Sequence, residues 1–180
     1  MDSATVAKGS FLALSLPVIL SACQRSQQAL EQGAGFRVFE ADEVADLTAI
    51  AARIIPTDDT PGATEAGVIY FLDTIFAEAR RASQLALLRE GLAALRGQLT
   101  TGGRHIHELN EAQQDQLLRD NEQTPFFATM RYLTIAGTFS LPRYGGNRDK
   151  VGYQLIGYED RGAWSAPYGF YDADYAERGE

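Results

Sequence analysis

Apolar residues recur at helical spacing along most of this chain, and each such stretch is opened or closed by a proline, a glycine or a capping residue. That pattern admits stacked amphipathic helices and little else. In Glu40–Pro56, Val44, Leu47, Ala51, Ile54 and Ile55 share one face, and Asp42, Glu43 and Asp46 occupy the early turns that favour negative charge. Pro56 stops the helix. Thr60-Pro61, a capping residue followed by proline, predicts the start of a second helix carrying Val68, Ile69, Leu72, Ile75, Phe76 and Ala79. A third carries Leu85, Leu88, Leu92, Leu95 and Leu99, and ends at Thr100-Thr101-Gly102-Gly103. Asn110 with Gln113 has capping-box spacing and opens a fourth, with Leu117 and Leu118 inward. Thr124-Pro125 repeats the start signal for a fifth, with Phe126, Phe127, Met130, Leu133 and Ala136, ending between Gly137 and Pro142. A short helix from Asn147 carries Val151, Leu155 and Ile156, and period-two alternation is confined to Phe36–Phe39. The expectation is an all-α single compact domain of about five main helices over 36–158, followed by a loop-rich tail over 159–180.

The N-terminus reads as an export signal. Phe11–Ala22 is a 12-residue run broken only by Ser15, Pro17 and Ser21, a length suited to a signal peptide and too short for a permanent span. It ends in Leu20-Ser21-Ala22-Cys23, which looks like a bacterial lipobox. Residues 1–23 are thus expected to be a leader with Cys23 as a lipidation site, and 24–35 a tether. The other reading of this stretch is a buried N-terminal helix holding an ordinary core cysteine. Lys8 and Asp2 flank the run and no arginine pair precedes it, so the export route, twin-arginine or general secretory, stays open.

Charge and rare residues narrow the function. Among 180 residues, 24 acids face 16 bases for a net charge of −8, which argues against nucleic acid and against docking on anionic lipid. Two histidines and one cysteine exclude an internal disulfide and leave little from which to build a triad or a zinc site. Binding or structural work fits that composition better than catalysis.

Few constellations carry chemistry. Asp58-Asp59 offers two carboxylates, short of the ligand number a calcium ion takes, and reads as a turn. His105-x-His107, with Glu108 and Glu111 nearby, has metal-ligand spacing but no second cluster of histidine or cysteine. Tyr144-Gly145-Gly146-Asn147-Arg148-Asp149-Lys150 combines paired glycines with a residue able to cap the next turn. Its spacing is neither of the common phosphate-loop patterns, so it reads as a rigid turn presenting Tyr144 and Arg148 to another surface. The tail places Trp164, Tyr168, Phe170, Tyr171 and Tyr175 among six acids and two arginines, a composition suited to packing on this domain or on a partner.

Two segments carry a resemblance. Ala52-Arg53-Ile54-Ile55-Pro56-Thr57-Asp58-Asp59-Thr60-Pro61-Gly62-Ala63 with Glu65-Ala66-Gly67-Val68 is one; Tyr144 through Tyr158, YGGNRDKVGYQLIGY, is the other. Phe126-Phe127 and Gly137-x-Phe139-Ser140 fit between them. Together they resemble the gluconate 2-dehydrogenase subunit 3 family over roughly Val38 to Tyr171.

The resemblance implies a small, non-catalytic subunit of a membrane-associated sugar or polyol dehydrogenase. It holds no cofactor itself; FAD sits in a large subunit and haem c in a possible cytochrome subunit. The small subunit assists folding, export and stability of the flavoprotein, which places it in the periplasm at the membrane. Tyr144, Gly145, Gly146, Asn147, Arg148, Trp164, Tyr168 and Tyr171 are the expected partner-facing residues. Two rivals stand beside this reading: a stand-alone exported lipoprotein that binds a ligand or envelope component, and a metal-dependent enzyme centred on His105 and His107.

Overall fold

A computed structural model of the chain describes residues 35–99, 105–140 and 147–159. Six α-helices make up one compact all-α domain: α1 (Ala41–Ile54), α2 (Val68–Phe76), α3 (Ala82–Arg96), α4 (Glu111–Asp120), α5 (Pro125–Phe139) and the short α6 (Val151–Leu155). Three single 3-10 turns, Ala79–Arg81, Ile106–Glu108 and Arg148–Lys150, link them. Among the described residues there is no strand, and no helix is long and apolar enough to cross a membrane.

The helix at the centre is the one whose sequence is apolar nearly all round. In α2, Val68, Phe71, Leu72, Asp73, Thr74, Ile75 and Phe76 are all buried. Around it close Leu47, Ile50 and Ala51 of α1, Leu88, Leu92 and Leu95 of α3, and Phe126, Met130 and Leu133 of α5. Ile106 and Leu118 seal the core beside them, and Val151 adds the contribution of α6. Each of these larger side chains contributes roughly 1.5–3 kcal/mol by leaving water.

Local signals set most helix ends. Asn110 Oδ1 accepts from the Gln113 amide at 3.0 Å and Gln113 Oε1 accepts from the Asn110 amide at 3.0 Å, the expected capping box. Thr124 Oγ1 accepts from the Phe127 amide at 3.2 Å, with Pro125 in the first turn of α5. The short helix near Asn147 is α6 and begins at Val151.

Two expectations need correction. Thr60-Pro61 opens only a single turn, and α2 starts seven residues later at Val68. The Ala66 amide bonds Gly62 O and the Val68 amide bonds Ala63 O, but Gly67 at φ 71° breaks the run before the helix proper. Gly62 is held against the preceding helix end, where a Cβ would lie 2.5 Å from Ile55 O. Phe36–Phe39 is not a strand. Its amides turn to a side chain instead: Asp73 of α2 accepts from Arg37 at 2.9 Å, Val38 at 2.9 Å and Phe39 at 3.3 Å. This N-terminal strap is fixed further by Phe36 stacked on Tyr70 and Phe39 edge-on to Phe76.

Arginines tie α1 to its neighbours. Arg89 of α3 donates to both oxygens of Glu43, at 2.7 and 3.0 Å, and to Val38 O at 2.9 Å. Arg53 reaches across to Asp115 and Glu111 of α4 at 2.7 and 2.9 Å. Such solvent-facing pairs are worth about 0–1 kcal/mol each and act mainly to fix register.

Candidate functional site

The Asp58 carboxylate makes a local turn, accepting from the Thr60 amide at 2.9 Å and its hydroxyl at 2.8 Å. Those two bonds hold the exposed Asp58 carboxyl below its ordinary value. The pair Asp58-Asp59 therefore does what the turn reading expects.

His105 and His107 are placed by the residue between them. Ile106 is fully buried in the core, which pins the 3-10 turn. Gln114 of α4 holds the same turn from behind, donating to Ile106 O at 3.1 Å and Leu109 O at 3.0 Å. With Ile106 anchored, both imidazoles meet the N-terminal half of α1. Their ring centres stand 5.4 Å apart.

The acid that meets them is Asp46, not Glu108 or Glu111. Glu108 accepts from the His105 amide at 3.1 Å within the turn, and Glu111 pairs with Arg53. Asp46 is wholly buried; its Oδ1 accepts from the His107 amide at 2.9 Å and lies 2.7 Å from His107 Nδ1. Its Oδ2 accepts from Arg96 Nε of α3 at 2.7 Å, while Arg96 also donates to Asp42 O at 3.1 Å. Burial pushes the Asp46 carboxyl up. The hydrogen bonds from His107 and Arg96, with the guanidinium's charge, outweigh it and hold the group below its ordinary value. His105 completes the cluster, with Nδ1 at 3.8 Å from Asp46 Oδ2 and Nε2 at 3.7 Å from Asp42 Oδ2.

Asp46 and Arg96 were not among the sequence candidates. One signal was available: Asp46 lies four residues before Ile50, on the stripe of α1 that faces the core, where an unpaired carboxylate is not tolerated. Its partners lie 50 and 61 residues away in sequence.

Of the expected partner-facing residues, Tyr144, Gly145, Gly146, Trp164, Tyr168 and Tyr171 lie outside the described residues, as do Cys23, the leader and the tether. Asn147 is described, and it faces inward. It is completely buried; its amide bonds Gly137 O at 3.0 Å and its Oδ1 accepts from the Gly152 amide in the first turn of α6. The residue docks α6 on α5 and offers a partner no surface. Arg148, its neighbour, is exposed beside Asp149. The backbone crosses the left-handed region at Asn147, Asp149 and Lys150, at φ 54°, 52° and 60°. Such residues cost free energy that the packing around them must offset.

Packing of α6 on α5 is close. A Cβ on Gly152 would fall 2.3 Å from Thr138 O and 2.9 Å from Phe139 Cδ1. From this junction Ile156 (63% exposed) and Tyr158 lead outward, and Ile135 of α5 is exposed as well. A separate open groove of about 330 Å³ lies between α1, α4 and α5, lined by charged residues including Arg53, Asp115, Arg119 and Arg131.

The family model for gluconate 2-dehydrogenase subunit 3 matches residues 41–160. The chain belongs to the gluconate 2-dehydrogenase subunit 3 family. The match begins at the first residue of α1 and runs past α6, so the family domain is the helical domain described above. Comparison with curated proteins and with solved structures finds no match. Gluconate 2-dehydrogenase subunit 3 is one component of a multi-subunit dehydrogenase.

Proposed function

We propose that the protein is the non-catalytic small subunit of an FAD-dependent, gluconate 2-dehydrogenase-like oxidoreductase and acts by contact with the flavoprotein subunit. Family membership over the whole helical domain carries this reading. The large subunit holds the FAD and oxidises a sugar, polyol or sugar acid; a cytochrome c subunit takes the electrons onward. The small subunit favours the folded flavoprotein and accompanies it across the membrane, where Cys23 supplies a lipid anchor on the periplasmic side.

The docking face consistent with this role is the α5–α6 end. Three of the four large apolar side chains exposed among the described residues, Ile135, Ile156 and Tyr158, belong to it, and Arg148 adds a cation. Aromatic and aliphatic residues with an arginine beside them form the usual centre of a protein interface. A partner present at 100 times its dissociation constant stabilises the state it binds by about 2.7 kcal/mol, a large part of an ordinary domain's stability.

Pull-down of the tagged full chain from membranes, read by mass spectrometry and a flavin spectrum, tests the proposal. A flavoprotein is expected in the eluate. Ile156→Asp is expected to lower its recovery roughly fivefold or more, equivalent to a loss above about 1 kcal/mol. Trp164→Ala tests the aromatic tail in the same assay. Absence of a flavoprotein, or recovery indifferent to both substitutions, would overturn the reading and favour a stand-alone lipoprotein.

A further inference from the structure

The partner-contact role makes no use of the cluster on α1. Asp46, His105 and His107 each offer a ligand atom there, all within 4.8 Å of one another. We propose that these three residues form a binding site for a divalent first-row transition ion, a clip between α1 and the 3-10 turn at Ile106.

The donor set fits that class of ion. Two imidazoles and one carboxylate suit zinc, nickel, cobalt or copper, whereas calcium takes six to eight oxygens. The carboxylate is preorganised, because the His107 amide and Arg96 hold it from two sides inside the core. An ion lying about 2.0–2.1 Å from both His107 Nδ1 and Asp46 Oδ1 would see their 2.7 Å separation at about a right angle, a normal angle between adjacent ligands. Arg96 occupies Oδ2; Oδ1 keeps the bond from the His107 amide and turns its other lone pair, now facing the His107 ring, to the ion.

His105 points to the ion independently. Its Nδ1 is buried, faces the Glu108 amide within the turn, and makes no hydrogen bond across to α1, lying 3.8 Å from Asp46 Oδ2. A buried ring nitrogen held only by a weak contact within its own turn gains from coordination. On the far side of the same ring, Nε2 lies 3.7 Å from Asp42 Oδ2, beyond hydrogen-bond distance but on the side where an outer carboxylate orients a metal-bound histidine. Both rings remain partly exposed, with side-chain exposures of 25% and 33%, so water reaches the site and fills the other positions. Coordination through His107 Nδ1 needs the tautomer with the ring proton on the solvent-facing Nε2, and Asp46 keeps its bonds to the His107 amide and to Arg96.

The test titrates zinc and nickel into the chelator-stripped full chain, made in a Cys23→Ser background so that no thiol contributes. Calorimetry is expected to show one ion per chain, undisturbed by excess magnesium. His105→Ala is the diagnostic variant, since the His105 ring makes no hydrogen bond across to α1 whose loss would disturb the fold. It is expected to weaken binding by at least ~10-fold while leaving the metal-free melting temperature unchanged. His107→Ala should also abolish binding, with a lower metal-free melting temperature. No stoichiometric binding, or affinity unaltered by His105→Ala, would overturn the proposal.

Discussion

Asp73→Ala should loosen the N-terminal strap and cost about 3 kcal/mol. The carboxylate is buried on α2 and accepts from three consecutive backbone amides, Arg37 and Val38 at 2.9 Å and Phe39 at 3.3 Å. Hydrogen bonds to a charged acceptor contribute about 1.5–3 kcal/mol each, and removing the acceptor leaves the donors to find water or go unpaired. Two short bonds and one long one, counted with the non-additivity of neighbours, give the figure of about 3. At roughly 2–4 °C per kcal/mol for a chain of this size, the melting temperature should fall by about 10 °C. Asp73→Asn retains one carbonyl oxygen and turns a donor towards the remaining amide, so it should fall between wild type and Asp73→Ala. Asp59→Ala, at an exposed site, should stay within about 0.5 kcal/mol. Thermal unfolding gives the ranking, and hydrogen exchange at Val38 and Phe39 should accelerate in the Asp73 variants alone. A shift below about 2 °C for Asp73→Ala, with exchange unchanged, would refute the account of the strap.

Gly91 of α3 and Gly97, which caps the end of that helix, should respond oppositely to alanine. At Gly91 a Cβ would meet Phe126 at 2.5–2.8 Å, so about 1 kcal/mol of helix propensity is outweighed by overpacking and the variant loses ~1–2 kcal/mol in denaturant unfolding. Gly97 has φ −63° and ordinary 3.4 Å contacts, so Gly97→Ala should gain about 0.5 kcal/mol in the same assay. Gly152→Ala meets the Thr138 carbonyl at 2.3 Å and should detach α6, seen as a lost near-ultraviolet signal from Tyr153 and Tyr158 with most helicity retained. The melting temperature should also fall as pH drops from about 5 to 3. For Glu43 and Glu78, burial raises the carboxyl but the arginine hydrogen bonds prevail; for Asp115 the Arg53 bond leads. All three therefore sit below their ordinary 4.5 or 3.8. A folded value below the unfolded one means stability that is complete above the unfolded value and is lost as pH falls through the folded one. Salt should blunt that trend most at Asp115, the most exposed of the three carboxylates.

What was legible in the sequence was what neighbours in sequence decide. The stripe Val44–Leu47–Ala51–Ile54, the capping box at Asn110 and the proline start at Thr124 depend on residues one to four apart, and all appear where expected. Thr60-Pro61 misled because a cap and a proline open one turn as well as many; the stop was Gly67, whose positive φ only the folded backbone reveals. Phe36–Phe39 alternated like a strand, but the partner for its amides was a carboxylate more than 30 residues away. Asn147 looked like an exposed turn residue beside two glycines. Its burial follows from Gly152, whose missing side chain lets α6 settle on the Thr138 carbonyl and brings the Gly152 amide to Asn147 Oδ1. The histidine pair was visible as a motif; the acid was not, since Asp46 read as an ordinary early-turn carboxylate until folding brought the turn at Ile106 against it.

A purely structural role for the α1 cluster accounts for only part of it. A buried carboxylate needs donors, and the His107 amide, the His107 ring and Arg96 supply three, which suffice to hold it in place. Exchanging such a cluster for well-packed apolar side chains is often neutral or stabilising, so its presence is not by itself a stability device. His105 sharpens the point, because it brings a second imidazole to an acid already satisfied and stands 3.8 Å from it without a hydrogen bond. As a fastening to α1, that ring costs desolvation and returns no hydrogen bond across the cluster. As a ligand it has a use for both nitrogens, one towards the ion shared with Asp46 and His107 and one towards Asp42. The geometry of His105, more than that of the better-bonded His107, thus separates a metal clip from a simple polar brace.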